Sequence, residues 1–323
     1  MISIASLGVA ALAAFKPAAS AADSCPPRTL RMEEAQVAAF HEMTRAVNAG
    51  DAARYARLYA ADAVITIIGG GQVNGRSAIE EYEVDLLRQF PGTRLAFYDI
   101  WQKGPLAVVR YGVNGRTTSG QVMGHEGLLF YQFDPSGLIE KERRYNDSLT
   151  PMAQLGFLGK VPMRAPPTLP TEPKVHVAQG SRAEVENVAA AKVILTALDS
   201  KNEAAFLSAV ADDAIVNELM LPQPFVGKQN VKAWFEAWTG AVPDAASQTT
   251  NITGIEDFVF VESTVRGTLR RPLGLLPASS NQFTLHRAAV LQVKAGKLIH
   301  CSFFMNGKEL AEATGQWPLP TRK

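Results

Sequence analysis

The sequence predicts an α+β chain in which one domain, three helices packed on a curved, mostly antiparallel sheet, is built twice. Three observations predict it: a long internal repeat, the same order of helical and strand patterns in each copy, and a proline-dense stretch between them. The repeat shows in Tyr59-Ala-Ala-Asp-Ala-Val-Ile65 followed by Gly75, set against Val210-Ala-Asp-Asp-Ala-Ile-Val216 followed by Gly227. Gly115 matches Gly267 at the offset of 152 that joins Gly75 to Gly227, whereas Gly137 and Gly156 match Gly296 and Gly315 at an offset of 159. A seven-residue insertion in the loop-like stretch 270–281 accounts for the difference. A unit of this size is a whole domain rather than a solenoid repeat.

In chain order, residues 2–15 form a short apolar run, and Ala19-Ser20-Ala21 fits the small-x-small rule of signal peptidase. The run is too short to span a bilayer. Residues 1–22 are therefore expected to be a cleaved export signal, which places the protein in the periplasm or outside the cell. Export permits one disulfide, Cys25 to Cys301; the alternative is two unrelated thiols, with Cys301 a small strand hydrophobe.

The first domain is expected over residues 33–150. Val37, Phe40, Met43 and Val47 fall at helical spacing, and a second helix runs over 52–59. A β-branched strand at 63–68 is broken by Gly69-Gly70-Gly71, and Ser77 with Glu80 reads as the capping box of a third helix carrying Ile79, Tyr82, Leu86 and Phe90. Strands then follow at 94–101, 106–114, 121–133 and 138–146, the last so charged that it reads as a solvated edge or interface. Residues 151–180 carry six prolines and form a semi-rigid linker. The second domain, 181–315, opens with the capping box Ser181/Glu184. It repeats the order with helices at 185–198 and 203–211, a strand at 214–219, a helix carrying Val231, Trp234 and Trp238, and strands at 258–269, 283–293 and 297–305.

With 323 residues, 47% hydrophobic and 20% charged, the chain can bury two cores. A net charge of +1 without a dense Lys/Arg stripe gives no support to a nucleic-acid or anionic-membrane partner. There is no GxSxG, CxxC, HExxH or phosphate-cradling loop, and five scattered histidines give no metal signature.

The helix-helix-strand-helix order before a curved meander resembles the nuclear transport factor 2-like cone fold, and within it the SnoaL-like polyketide and ester cyclases. The carrying residues are Gly137-Leu-Ile-Glu140 and Tyr145-Asn-Asp147 through Gln154-Leu-Gly156 in the first copy, and Gly267-Thr-Leu-Arg270 and Val293-Lys-Ala-Gly-Lys-Leu-Ile299 in the second. The resemblance implies two cone-shaped domains, each with a pocket between sheet and helices, taking a small apolar ligand without metal or organic cofactor. It implies cyclase, isomerase or hydrolase chemistry by proton transfer, or else a non-enzymatic carrier or assembly module. Since such domains pair through their sheets, the tandem is expected to form an intramolecular pseudo-dimer.

On the same resemblance Asp147 matches the closing-strand acid of the cyclases, with Asn306 in its place in the second copy. A helix cap at Ser148 is the other reading of Asp147. Glu218 precedes Gly227 by the spacing of the ketosteroid isomerase general base, the alternative being a solvated strand-end carboxylate. Met43 and Ile194 replace that enzyme's oxyanion-donor tyrosine. His125 and His286 are placed facing the two pockets, and Trp234 and Trp238 either line the second or belong to its core.

Overall fold

A computed structural model describes residues 28–319; the expected export signal and Cys25 lie outside the described residues. The first copy runs α1 (Arg28–Ala49), α2 (Ala52–Ala56), β1 (Tyr59–Ile67), β2 (Gly71–Asn74), α3 (Arg76–Gln89), β3 (Arg94–Lys103), β4 (Leu106–Arg116), β5 (Val122–Phe133), β6 (Ile139–Asn146) and α4 (Leu149–Gln154). The linker contributes β7 (Lys174–Val177). The second copy runs α5 (Arg182–Asp199), α6 (Glu203–Ser208), β8 (Val210–Glu218), β9 (Phe225–Val226), α7 (Lys228–Ala241), β10 (Ala246–Ile255), β11 (Phe258–Thr268), β12 (Gln282–Lys294), β13 (Lys297–Met305) and α8 (Gly307–Ala313).

The strand orders are β2-β1-β6-β5-β4-β3-β7 and β10-β11-β12-β13-β8-β9. In both, the early strand inserts parallel to the last strand of the meander, so that the strand leaving the second helix closes the sheet over the helices. The repeated glycine has a backbone reason. Gly75 and Gly227 cap the third helix of each copy with φ of 86° and 81°, a region other residues enter at a cost. Gly75, not Ser77, is thus the N-cap of α3, and the Ser77/Glu80 capping box does not form, because the helix starts one residue before Ser77. The Ser181/Glu184 box does form.

Register corrects the single insertion. Gly115 pairs with Met123 but Gly267 with Phe283, so the loop is eight residues longer in the second copy. Gly127 pairs with Asn146 but Arg287 with Met305, so the next hairpin is one residue shorter.

Alternate residues of each sheet face two ways. One set meets the helices: Ile65, Leu129 and Tyr131 cluster with Phe40 of α1 in the first copy, and Val216, Leu285 and Phe303 with Trp234 of α7 in the second. The other set forms a third apolar cluster drawn from both sheets, including Trp101, Val108, Phe130, Phe260, Val290 and Phe304. At its margin Arg143 donates two hydrogen bonds to Glu262, at 2.6 and 2.7 Å. Cys301 is a buried free thiol among the described residues, its ionisation pushed up by burial. No helix of the described residues is long and apolar enough to cross a membrane.

Candidate functional site

The cone of the first copy encloses a cavity of about 250 Å³. Its wall is apolar at Met43, Val47, Leu86, Val113 and Leu129 but carries a compact polar group on one side. β6 supplies that group. Glu142 pairs with Ile65 and Tyr131, and Arg144 with Ile67 and Leu129, all of them inward-facing positions. This charged strand is therefore not a solvated edge: period-2 alternation sends Glu142 and Arg144 into the cone and Arg143 to the opposite face, onto Glu262.

Burying these charges is tolerable because they satisfy one another. Arg144 pairs with Glu142 and donates to the Tyr55 hydroxyl at 2.7 Å. Tyr55 and Tyr59 share a hydrogen bond at 2.7 Å, and Tyr59 donates to Glu142. Burial pulls the Arg144 guanidinium toward neutrality, but Glu142 together with Tyr55, Tyr59 and Tyr82 outweighs it and holds the group well above its ordinary value, as a cation. Burial also raises the ionisation of the Tyr55, Tyr59, Tyr111 and Tyr131 phenols, which stay neutral donors. Glu83 of α3 reaches the same cavity with no hydrogen-bond partner among the described residues. Burial raises its carboxyl, only partly offset by Arg144.

Of the sequence-predicted residues, His125 lies on this wall. Its Nε2 meets the Tyr111 hydroxyl at 3.2 Å, its buried Nδ1 has no partner, and burial lowers it to about 4, so the ring is neutral. His286 does not face a pocket. It is exposed and bonded to Glu309 at 2.9 Å, because the eight extra residues of the loop make Leu285, not His286, the counterpart of His125. A slip of one residue turns a strand side chain to the other face.

Asp147 is buried, and all its hydrogen bonds are those of a cap. It accepts from Leu149 N at 3.1 Å, from Thr150 N at 2.9 Å and Oγ1 at 2.6 Å, and across the two copies from Gly307 N at 3.0 Å. Asn306 answers it, accepting from Ser148 N at 3.2 Å. Burial raises the Asp147 carboxyl, and these donors pull the other way.

The second cone is organised differently. Trp234 stacks on Phe303 at 5.2 Å between centroids, Phe235 on Phe206 at 4.9 Å, and Trp238 is buried beside them, so both tryptophans are core. Phe206, Cys301, Phe303 and Ser263 stand where the first copy has Tyr55, Glu142, Arg144 and Tyr111. Glu218, the counterpart of Ile67, is 2% exposed at the end of β8 rather than solvated. Its Oε1 has no partner, and burial pushes its carboxyl up to about 8 against the pull of Arg287 and Arg164. The sequence reading missed the Tyr55–Tyr59–Glu142–Arg144 group. The inward parity of Glu142 and Arg144, two residues apart on a strand, was the available signal.

A family model described as the SnoaL-like domain matches residues 37–141 and again 191–301. Among solved structures, a Jannaschia sp. CCS1 protein described provisionally as a SnoaL-like polyketide cyclase is similar at 17% identity. It covers 43% of this chain and 97% of its own, with a TM-score of 0.39. A Mycobacterium tuberculosis protein in complex with estradiol-17β-hemisuccinate is similar at 18% identity, covering 35% of this chain and 95% of its own, with a TM-score of 0.33. No curated protein matches the sequence.

Proposed function

The chain belongs to the SnoaL-like domain family, in two tandem copies, and from the first cone we propose that it takes up a small, largely apolar molecule there and moves a proton on it without a cofactor. The observation that carries this reading is one cavity in which an apolar wall meets Glu83, Arg144, Tyr111 and His125. A ligand carbonyl entering the cone finds donors in Tyr111 and the cationic Arg144. Glu83, its carboxyl raised toward the working pH by burial, is the group to take a proton from the adjacent carbon. The second copy, its cone filled by Trp234, Trp238 and Phe303, acts as the internal sheet-to-sheet partner of the first, a reading supported by the apolar cluster the two sheets share. Export belongs to the same proposal, and N-terminal sequencing of the mature protein tests it.

The function is tested on natively purified protein by extracting bound small molecules and identifying them by mass spectrometry. A molecule at about one per chain is expected, lost in Leu129→Trp, which fills the cavity. Glu83→Gln should keep the molecule but slow deuterium exchange beside its carbonyl by roughly 10²–10⁴-fold. Binding that survives Leu129→Trp would overturn the cone as the site.

A further inference from the structure

A second cavity, of about 230 Å³, adjoins the first: His125 forms part of the wall of both. The outer chamber is not built by the first copy alone. Its other sides are Arg164 and Pro167 of the linker and the Pro222-Gln223-Pro224 loop of the second copy. Arg164 is fixed there by three acceptors of the second copy, Asn217 Oδ1 at 2.6 Å, the Glu218 carbonyl at 3.0 Å and the Leu219 carbonyl at 3.1 Å. None of these is an anion, and Arg164 has no ion-pair partner among the described residues. Three acids act on it through space, Glu218 and, on the chamber wall itself, Glu126 and Asp147, and each is otherwise engaged or suppressed. Glu126 lies 3.7 Å from Arg110, Asp147 is filled by its cap donors, and Glu218 is buried with its carboxyl raised. A half-buried, positioned guanidinium without an ion-pair partner, on the wall of a cavity that shares His125 with an apolar one, is a receptor for an anionic group.

We propose that the ligand of the first cone carries a carboxylate, which passes His125 into the outer chamber and is bound there by Arg164. The linker and the second copy then help select the substrate. This rests on the reading of the first cone as a ligand site and adds the ligand's chemical class. An apolar body in the cone and an acid in the chamber together describe a small aryl or alkyl carboxylic acid.

Matched probes test it: 4-phenylbutyrate against 4-phenylbutan-1-ol, and octanoate against octan-1-ol, by calorimetry on the full chain. The wild type is expected to bind each acid about tenfold or more tighter than its alcohol, the usual worth of one charged hydrogen bond. Arg164→Gln should bring the ratio to about one with alcohol affinity unchanged. Because Arg164 also ties down the linker, Gln223→Glu on the exposed lip of the chamber provides an independent arm, weakening the acids several-fold and leaving the alcohols as they were. Equal binding of acid and alcohol by the wild type, or a preference that survives both substitutions, overturns the carboxylate and leaves the cone standing. Failure of acids and alcohols alike to bind overturns the cone itself, and the proposal with it.

Discussion

Two buried carboxyls show how differently the same side chain is used. Glu218 has one oxygen without a partner and is raised to about 8 by burial, so the folded state holds a proton that the unfolded chain releases near 4.5. A raised acid stabilises the fold fully below its unfolded value, and that contribution is lost as pH climbs from about 4.5 through about 8. Glu218→Gln, which cannot ionise, should match the wild type in thermal stability at pH 4.5 and exceed it at pH 8 by on the order of 2–4 kcal/mol. Parallel pH profiles for the two proteins would remove the burial argument. Asp147 is the opposite case, with donors on both oxygens from two helix starts. Asp147→Ala leaves those amide groups unpaired and should cost about 2 kcal/mol by denaturant titration. A loss of turnover without a loss of stability would return Asp147 to the catalytic group.

At the scale of elements, Glu184 does more than close a capping box. Its carboxylate accepts from Gln179 N, Ser181 N and Glu256 N, each at 2.9 Å, tying the linker's end, the start of α5 and the β10–β11 turn to one group. Burial works against ionisation there, but the three amides outweigh it and hold the carboxyl below its ordinary value. Glu184→Ala should therefore cost about 2–3 kcal/mol at pH 7, and the gap to the wild type should close as pH falls below the ordinary carboxylate value of 4.5 and through the lowered folded one, where the wild-type carboxylate itself is lost. The sequence carried α5 and its box plainly because propensity, cap and apolar spacing agree there. β10 was illegible for the converse reason: Ser247, Gln248, Thr249, Thr250 and Asn251 are polar on both faces, and the strand forms because β11 offers it a pairing edge. β7 was hidden among prolines, and only the open edge of β3 makes Lys174–Val177 a strand. The site was half legible. His125 was found from strand parity, but Glu142 and Arg144 looked solvated, since charge marks exposure unless the partners that neutralise it, Tyr55 and Tyr59, are known to lie 83 to 89 residues away in sequence.

For the molecule as a whole, Glu262 is a buried group that joins the two copies. It is 3% exposed and takes Arg143 in a two-pronged bond, the Tyr145 hydroxyl at 2.9 Å and Asn251 at 3.0 Å. Removing one side of such a buried pair typically costs about 3–5 kcal/mol. Calorimetry should show the wild type unfolding in one cooperative transition and Glu262→Ala in two, as the copies melt separately. Two transitions already in the wild type would mean that the copies are energetically independent.

The tryptophan-filled second cone beside an open first one has a consequence for how such a chain changes over time. When a protein pairs with an identical copy of itself, every substitution is made on both sides at once, so a residue that plugs one chamber plugs its twin. Joined in a single polypeptide, the halves are inherited together but altered separately. One is then free to trade its chamber for rigidity while the other keeps its opening, and the halves cease to be interchangeable.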